Sequence, residues 1–256
     1  MLPITRFLTI AVGAVSIVSV LVLTPAMAAD PTVSLRLTAG SSWQVRNDVQ
    51  IPNDDMGSRF SLHDAVGTGP VSAVRFELNW ALNNKHGIRI MLAPLSYTEI
   101  ALFDQPVRFA GETYSADQVS EATYRFNSWR VGYHYSLVNN DAGSFRVGAT
   151  LKVRDAEIRL QQGDTESFDD DVGIVPLLYL AGSYRLSERV TFRADFDGLA
   201  GGPGRAIDIG AALDFAISRR WQIGAEVRVL DGGADTDDVF NFARFNSAAL
   251  AISTQF

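Results

Sequence analysis

Strict alternation of apolar and polar residues is the feature that most constrains the fold of this 256-residue chain. Residues 190–197, 207–217 and 221–229 alternate at a period of two. Successive side chains of a β-strand point to opposite faces, so this period indicates strands with two different faces. After residue 28 no segment has a helical pattern, and we predict an all-β fold. The predicted strands are 33–43, 71–82, 87–101, 122–138, 144–162, 174–186, 190–200, 206–217, 221–231 and 242–256.

The two faces of these strands differ in charge. One face is apolar and uncharged, whereas the other carries most of the charged side chains. A basic group facing lipid near the middle of a membrane costs roughly 2–4 kcal/mol, so in a membrane the charged face must line the lumen. Charges buried there are expected to pair across strands. The predicted lumenal ion network comprises Arg75, Glu77, Arg89, Arg130, Lys152, Arg154, Arg193, Asp195, Asp197, Asp208, Asp214, Glu226 and Arg228.

The connections between the strands alternate in length. Tight turns are predicted at 83–86, 139–143, 187–189 and 218–220, and the intervening connections are mostly longer. Short turns at one end and long loops at the other are typical of a single antiparallel up-and-down transmembrane β-barrel. We predict ten strands for residues 29–256. Eight or twelve strands are alternatives, since the connections 44–70 and 102–121 contain further short alternating segments. A secreted soluble barrel or sandwich with its apolar face inward is another alternative.

Aromatic residues occur at one height, close to the tight turns. Such residues form a girdle at the membrane interface. The predicted girdle comprises Trp80, Tyr135, Tyr184, Trp221 and Phe256.

The last strand resembles the terminal strand of bacterial outer-membrane β-barrel proteins. Residues 250–256 alternate and end in a carboxy-terminal phenylalanine, Phe256. In that superfamily the terminal aromatic is recognised by the barrel-assembly machinery. The resemblance therefore implies location in the bacterial outer membrane, contact with outer-membrane lipid and lipopolysaccharide, and recognition of Phe256 by that machinery. It implies no activity.

The first 28 residues are predicted to be a secretory signal peptide that is removed. Arg6 provides the positive region, 7–23 are uncharged and apolar, and Ala-Met-Ala at 26–28 matches a cleavage site. We therefore expect export through the inner membrane before barrel insertion.

Composition excludes several classes of function. The chain has no cysteine, which excludes thiol catalysis and cysteine-ligated metals. Its formal net charge of -7 argues against a nucleic-acid partner. The sequence contains no recognisable cofactor motif, so no cofactor is predicted, and the oligomeric state is left open.

Three groups of residues are candidates for chemistry. His134 and Ser136 form a His-x-Ser pair like that of small-barrel lipid A deacylases, although both are predicted to face the lumen near the periplasmic end. His63, beside Asp64 in the first long loop, is the candidate for an omptin-like protease site, with Asp54 and Asp55 as acidic partners. Two acidic loops are candidates for calcium binding, one with Asp169, Asp170 and Asp171 and the other with Asp235, Asp237 and Asp238. The alternative for each is a solvated surface loop.

The alternation changes phase near Asp155. A β-bulge at 155–156 would account for this change.

The prediction that follows is a non-catalytic outer-membrane barrel with an ion-paired lumen and acidic outer loops, serving a structural or surface-interaction role. The alternative is a narrow pore for small solutes or ions. A lipid A deacylase-like or omptin-like hydrolase is the remote alternative.

Overall fold

The computed structural model describes residues 33–256. The predicted signal peptide, 1–28, lies outside the described residues. No helix within the described part of the chain is long and apolar enough to cross a membrane.

The described chain forms a closed antiparallel β-barrel, which confirms the predicted fold class. β14 Phe240–Gln255 pairs with β1 Val33–Gln50, for example through Leu37 and Ile252, and this pairing closes the wall. β4 His86–Ala93 and β5 Ser96–Ala101 share one register against β8 Ser120–Asn140, so they form a single interrupted wall strand and the wall has ten strands. The wall consists of β1 Val33–Gln50, β3 Val71–Ala81, β4 His86–Ala93, β5 Ser96–Ala101, β8 Ser120–Asn140, β9 Gly143–Gln162, β10 Thr165–Arg185, β11 Val190–Gly201, β12 Gly204–Ala216, β13 Trp221–Asp235 and β14 Phe240–Gln255.

Four short elements lie in the connections. They are β2 Phe60–Ser61, α1 Leu62–Val66, β6 Val107–Phe109 and β7 Glu112–Tyr114. The helix α1 corrects the prediction that no helix follows the signal peptide. It begins at Ser61, whose hydroxyl oxygen accepts a hydrogen bond from the Asp64 amide at 3.1 Å. It ends at Gly67, whose φ is 86°.

The connection 163–173 is also a correction, because it is not a loop. Thr165 pairs with Gln162, and the ladder between β9 and β10 continues without interruption from there into the wall. The hairpin therefore extends well beyond the apolar belt of the barrel. We call this end of the barrel the loop end, and the opposite end, with the tight turns, the turn end.

An apolar belt surrounds the lower part of the barrel. Its outward side chains are exposed on the isolated chain and include Ile90, Val131, Leu151, Leu178, Leu213 and Ile223. At the turn end Trp80, Tyr184 and Trp221 are exposed and face outward, whereas Tyr135 and Phe256 are half-buried.

Above the belt, the two faces of the wall exchange polarity. In β9, Lys152 faces the lumen within the belt, but Ile158 and Leu160 face it at the loop end, and Asp155 faces outward. The register of β9 is continuous with both neighbours, so the predicted bulge at 155–156 is wrong. The phase change arises because water replaces lipid outside the wall, while the connections fill the lumen with apolar groups.

These apolar groups form a core inside the loop end. Tyr97 and Phe245 each stack on Tyr124 with ring centroids 5.7 Å apart. The Tyr114 hydroxyl lies 2.9 Å from the Leu160 carbonyl oxygen and donates to it, and burial raises the pKa of Tyr114. The core also includes Val49, Leu62, Phe103, Val107 and Phe109. It closes over the charged part of the lumen.

Candidate functional site

The charged lumen centres on Asp208 of β12. Its carboxylate accepts hydrogen bonds from Arg75 at 3.1 Å, Arg130 at 2.6 Å and Arg228 at 2.7 Å. The three arginines come from β3, β8 and β13, so this one carboxylate connects four wall strands. The alternation of each strand explains the arrangement, because it turns every one of these side chains inward.

Asp197 of β11 is a second centre. It accepts from Arg89, from Arg130 at 2.9 Å and from the Thr150 hydroxyl at 2.8 Å. Arg130 thus bridges the Asp197 and Asp208 carboxylates. Asp197 is 0% exposed and Asp208 is 2% exposed, so their charges are balanced by protein groups.

The network continues in two further clusters, around Asp214 and Glu226. Asp214 pairs with Arg36 at 2.9 Å and with Arg193 at 3.5 Å. Glu226 pairs with Arg36 at 3.3 Å and with Arg228 at 3.0 Å. The remaining pairs are Arg228 with Asp195 at 2.8 Å and Arg89 with Glu77 at 3.9 Å.

Two of the predicted network residues lie apart from these pairs. Lys152 is buried, and its ammonium stands 4.3 Å from the Phe126 ring centre. No carboxylate among residues 33–256 lies within ion-pair distance of it. Arg154 lies nearer the loop end, where it pairs with Asp171.

Some members of the network were not among the predicted site residues. Arg36 is on the charged face of its strand, so the alternation alone already places it in the lumen. Thr150 and Tyr179 have the same inward parity but carry no charge that would mark them as members of the network. Thr150 donates to Asp197, and the Tyr179 ring centre lies 4.0 Å from the Arg89 guanidinium. Their roles depend on which strands meet across the lumen.

The predicted His-x-Ser pair is not assembled as a catalytic pair. His134 faces the lumen near the turn end, and neither of its ring nitrogens has a hydrogen-bond partner. Ser136 keeps the register of His134 against β9, and the ladder becomes irregular only after it, between Ser136 and Val138. The two side chains make no hydrogen bond with each other.

His63 lies in α1 at the loop end. Its Nδ1 is 2.9 Å from Asp64 Oδ1, and this hydrogen bond lowers the pKa of the Asp64 carboxyl. Asp54 and Asp55 do not join it: the Asp54 side chain accepts the Met56 amide instead. The structure therefore brings together only the adjacent His63 and Asp64.

The candidate calcium ligands lie in two separate places. Asp169, Asp170 and Asp171 alternate along β10, and their side chains point to opposite faces. Burial and the Asp170 carboxylate raise the pKa of Asp169. Asp235, Asp237 and Asp238 surround the exposed turn that follows β13. Residues 33–256 contain no group of three or more such side chains placed to hold a metal ion.

Several solved structures are similar to this chain. The outer membrane protease OmpT from Escherichia coli matches over 91% of this chain and 99% of its own, with a TM-score of 0.57 and 9% identity. Neisserial surface protein A matches over 88% of this chain and 97% of its own, with a TM-score of 0.39 and 11% identity. Ail of Yersinia pestis matches over 87% and 98%, with a TM-score of 0.37 and 10% identity. At these identities the OmpT likeness shows a shared fold.

Sequence comparison places the chain in a family. No curated protein matches it closely enough to count as a relative. The family model described as "Protein of unknown function, DUF481" matches residues 101–230, which is half of the chain. This β-barrel protein belongs to the DUF481 family.

Proposed function

We propose that this protein is a non-catalytic outer-membrane barrel whose lumen is a structural ion-paired core and whose loop end presents an acidic surface. The observation that carries this proposal is the coordination of Asp208 by three arginines from three different wall strands. The apolar core around Tyr124 lies directly above this network. Two filled layers of opposite polarity favour a sealed lumen over a pore.

The exposed groups at the loop end favour a surface role. Most of the exposed charged groups there are carboxylates. Some of them stand on hairpins that continue the wall and others on the connections. An acidic rim of this kind attracts cationic partners through long-range electrostatics. The exposed acidic residues there include Asp54, Asp55, Glu112, Asp164, Glu166, Asp170, Asp237 and Asp238.

Planar-bilayer recording tests the sealed lumen. The mature chain, 29–256, is refolded in detergent, checked for heat-dependent gel mobility, and inserted into a planar membrane. We expect no discrete openings. A variant in which Asp208 and Asp197 are both changed to Asn serves as the comparison, since a loosened network is expected to conduct if water can enter.

Discrete openings of the unmodified chain would contradict the proposal and favour the narrow pore. In that case neutralising Arg130 or Arg228 should change the ion selectivity. Hydrolysis of a lipid or peptide substrate that is lost in His63→Ala would favour an enzyme instead.

A further inference from the structure

The barrel wall is interrupted between β3 and β5. The ladder of β3 with β4 ends at the pair Phe76–Leu92, and β5 pairs only with β8. Residues 71–75 of β3 therefore pair with β1 alone, and their other edge faces an unpaired edge of β5. Within the described chain, every other pair of adjacent wall strands is joined by a longer ladder.

Pro94 explains why the ladder stops. The Leu95 carbonyl accepts the Phe126 amide at 2.7 Å, and the Leu95 amide donates to the Asn127 side chain at 3.2 Å. Leu95 thus directs its backbone groups towards β8. Backbone groups alternate along a strand, so those of Pro94 face β3, and proline has no N–H to donate. β3 and β5 separate from this position upward.

The opening lies at the outer margin of the apolar belt. Val74 and Leu92, which border it, face outward and are 43% and 40% exposed. On the adjacent β8, outward Trp129 gives way to Asn127 and Arg125. The opening therefore faces the level at which lipid chains meet head groups.

A cavity of about 70 Å³ lies directly behind the opening. Ala73 and Pro94 line its entrance, and Leu95, Phe126 and Phe245 form an apolar wall. The floor of the cavity, on the side of the turn end, is formed by the part of the ion network nearest the loop end. This space is large enough for a few water molecules, or for one small polar head group.

Three arginines and two carboxylates line the floor of the cavity. They are Arg75, Arg130 and Arg228 with Asp208 and Glu226, and Arg130 and Arg228 each also pair with a carboxylate outside the lining, Asp197 and Asp195. Arg75 forms one ion pair, with an Asp208 carboxylate that it shares with two other arginines. The Lys152 ammonium, which has no carboxylate partner among residues 33–256, lies 4.3 Å from the centre of the Phe126 ring.

We propose that this cavity binds a single-chain anionic amphiphile of the fatty-acid type through the side of the barrel. The carboxylate enters the cavity and is held by Arg75 above the network. The first methylene groups lie against Leu95 and Phe126, and the chain leaves between β3 and β5 into the lipid. An anionic head and an apolar tail match the two halves of the site.

Binding is measured with palmitate carrying ¹³C at its carboxyl carbon, added to the folded mature chain in uncharged detergent. We expect a carboxyl resonance distinct from that of micellar palmitate. Arg75→Gln should weaken binding about tenfold, since a hydrogen bond to a charged group is lost. Arg193→Gln is the matched control, because it removes another lumenal arginine that does not line the cavity.

Filling the cavity gives an independent test. Ala73→Phe should abolish the bound resonance, whereas Ala225→Phe, which faces lipid on β13, should leave it unchanged. Heat-dependent gel mobility shows whether each variant folds. Absence of a bound resonance in the unmodified chain, or its persistence in both Arg75→Gln and Ala73→Phe, would overturn the site.

The path of the chain is tested with a nitroxide-labelled fatty acid. The protein has no cysteine, so Val74→Cys and Val227→Cys each accept a single ¹⁹F label. The nitroxide should broaden the ¹⁹F resonance of the label at position 74, beside the opening, more than that of the label at position 227 on β13. Equal broadening at both positions would exclude exit between β3 and β5.

Discussion

Arg130 and Asp208 face each other across the lumen, one from β8 and the other from β12, with the guanidinium Nη2 and carboxylate Oδ2 2.6 Å apart. Both side chains are 2% exposed. The same guanidinium also binds Asp197 at 2.9 Å. This single arginine links β8 to β11 and β12, which are distant from it in sequence.

Changing Asp208 to Asn should destabilise the barrel strongly. Three arginines would lose their shared counter-charge, and breaking a buried ion pair costs about 3–5 kcal/mol. Denaturant unfolding of the refolded chain in lipid vesicles measures the change in free energy. The control is Asp170→Asn, which alters an exposed carboxylate on β10, and equal losses in both variants would contradict a structural network.

Changing Tyr124 to Ala should destabilise the loop end. The ring is buried between Tyr97 and Phe245, and removing a large buried aromatic side chain costs about 3–5 kcal/mol. Amide hydrogen exchange in β5 and in the upper part of β14 should rise most. Phe168→Ala removes an exposed, outward aromatic on β10 and should change neither stability nor exchange. If exchange rises evenly around the barrel, the core is not a local unit.

Changing Gly87 to Ala should destabilise the turn end. A Cβ atom at this position would stand 2.5 Å from the His134 ring and 3.0 Å from the Trp80 carbonyl oxygen. Overpacking of this kind costs about 1–3 kcal/mol. The control is Gly182→Ala, whose Cβ would meet its nearest neighbour at 3.6 Å.

The double variant Gly87→Ala with His134→Ala separates the two contacts of Gly87. Removing the imidazole should restore part of the lost stability, and the coupling free energy from the double-mutant cycle measures the ring contact. A coupling of zero would show that the glycine is needed for the Trp80 backbone alone.

The sequence predicted the fold well, because strand parity records which side of the wall meets lipid. The alternation in β11, β12 and β13 placed Arg193, Asp208 and Arg228 on one face. In a membrane this face must be the lumenal one, because a basic group that faces lipid near the bilayer centre costs roughly 2–4 kcal/mol. Alternation can be seen within a single strand, without knowing which strand pairs with it.

The same parity misled at Asp155. The phase change in β9 is real, but it reflects a change of solvent, because lipid gives way to water outside the wall at this height. A bulge and a change of solvent produce the same pattern in one strand. Only the continuous ladders with β8 and β10 distinguish them.

The sequence by itself therefore determined the strands, their lipid-facing sides and the pool of charges in the lumen. The tertiary structure decided which charges meet: Asp208 binds Arg75, Arg130 and Arg228 because the closed wall brings β3, β8 and β13 around β12. It also decided that 163–173 extends a hairpin, that α1 and Phe109 close the loop end, and that Pro94 leaves β3 and β5 apart. Each of these depends on contacts between residues far apart in the chain, which a pattern within one strand does not contain.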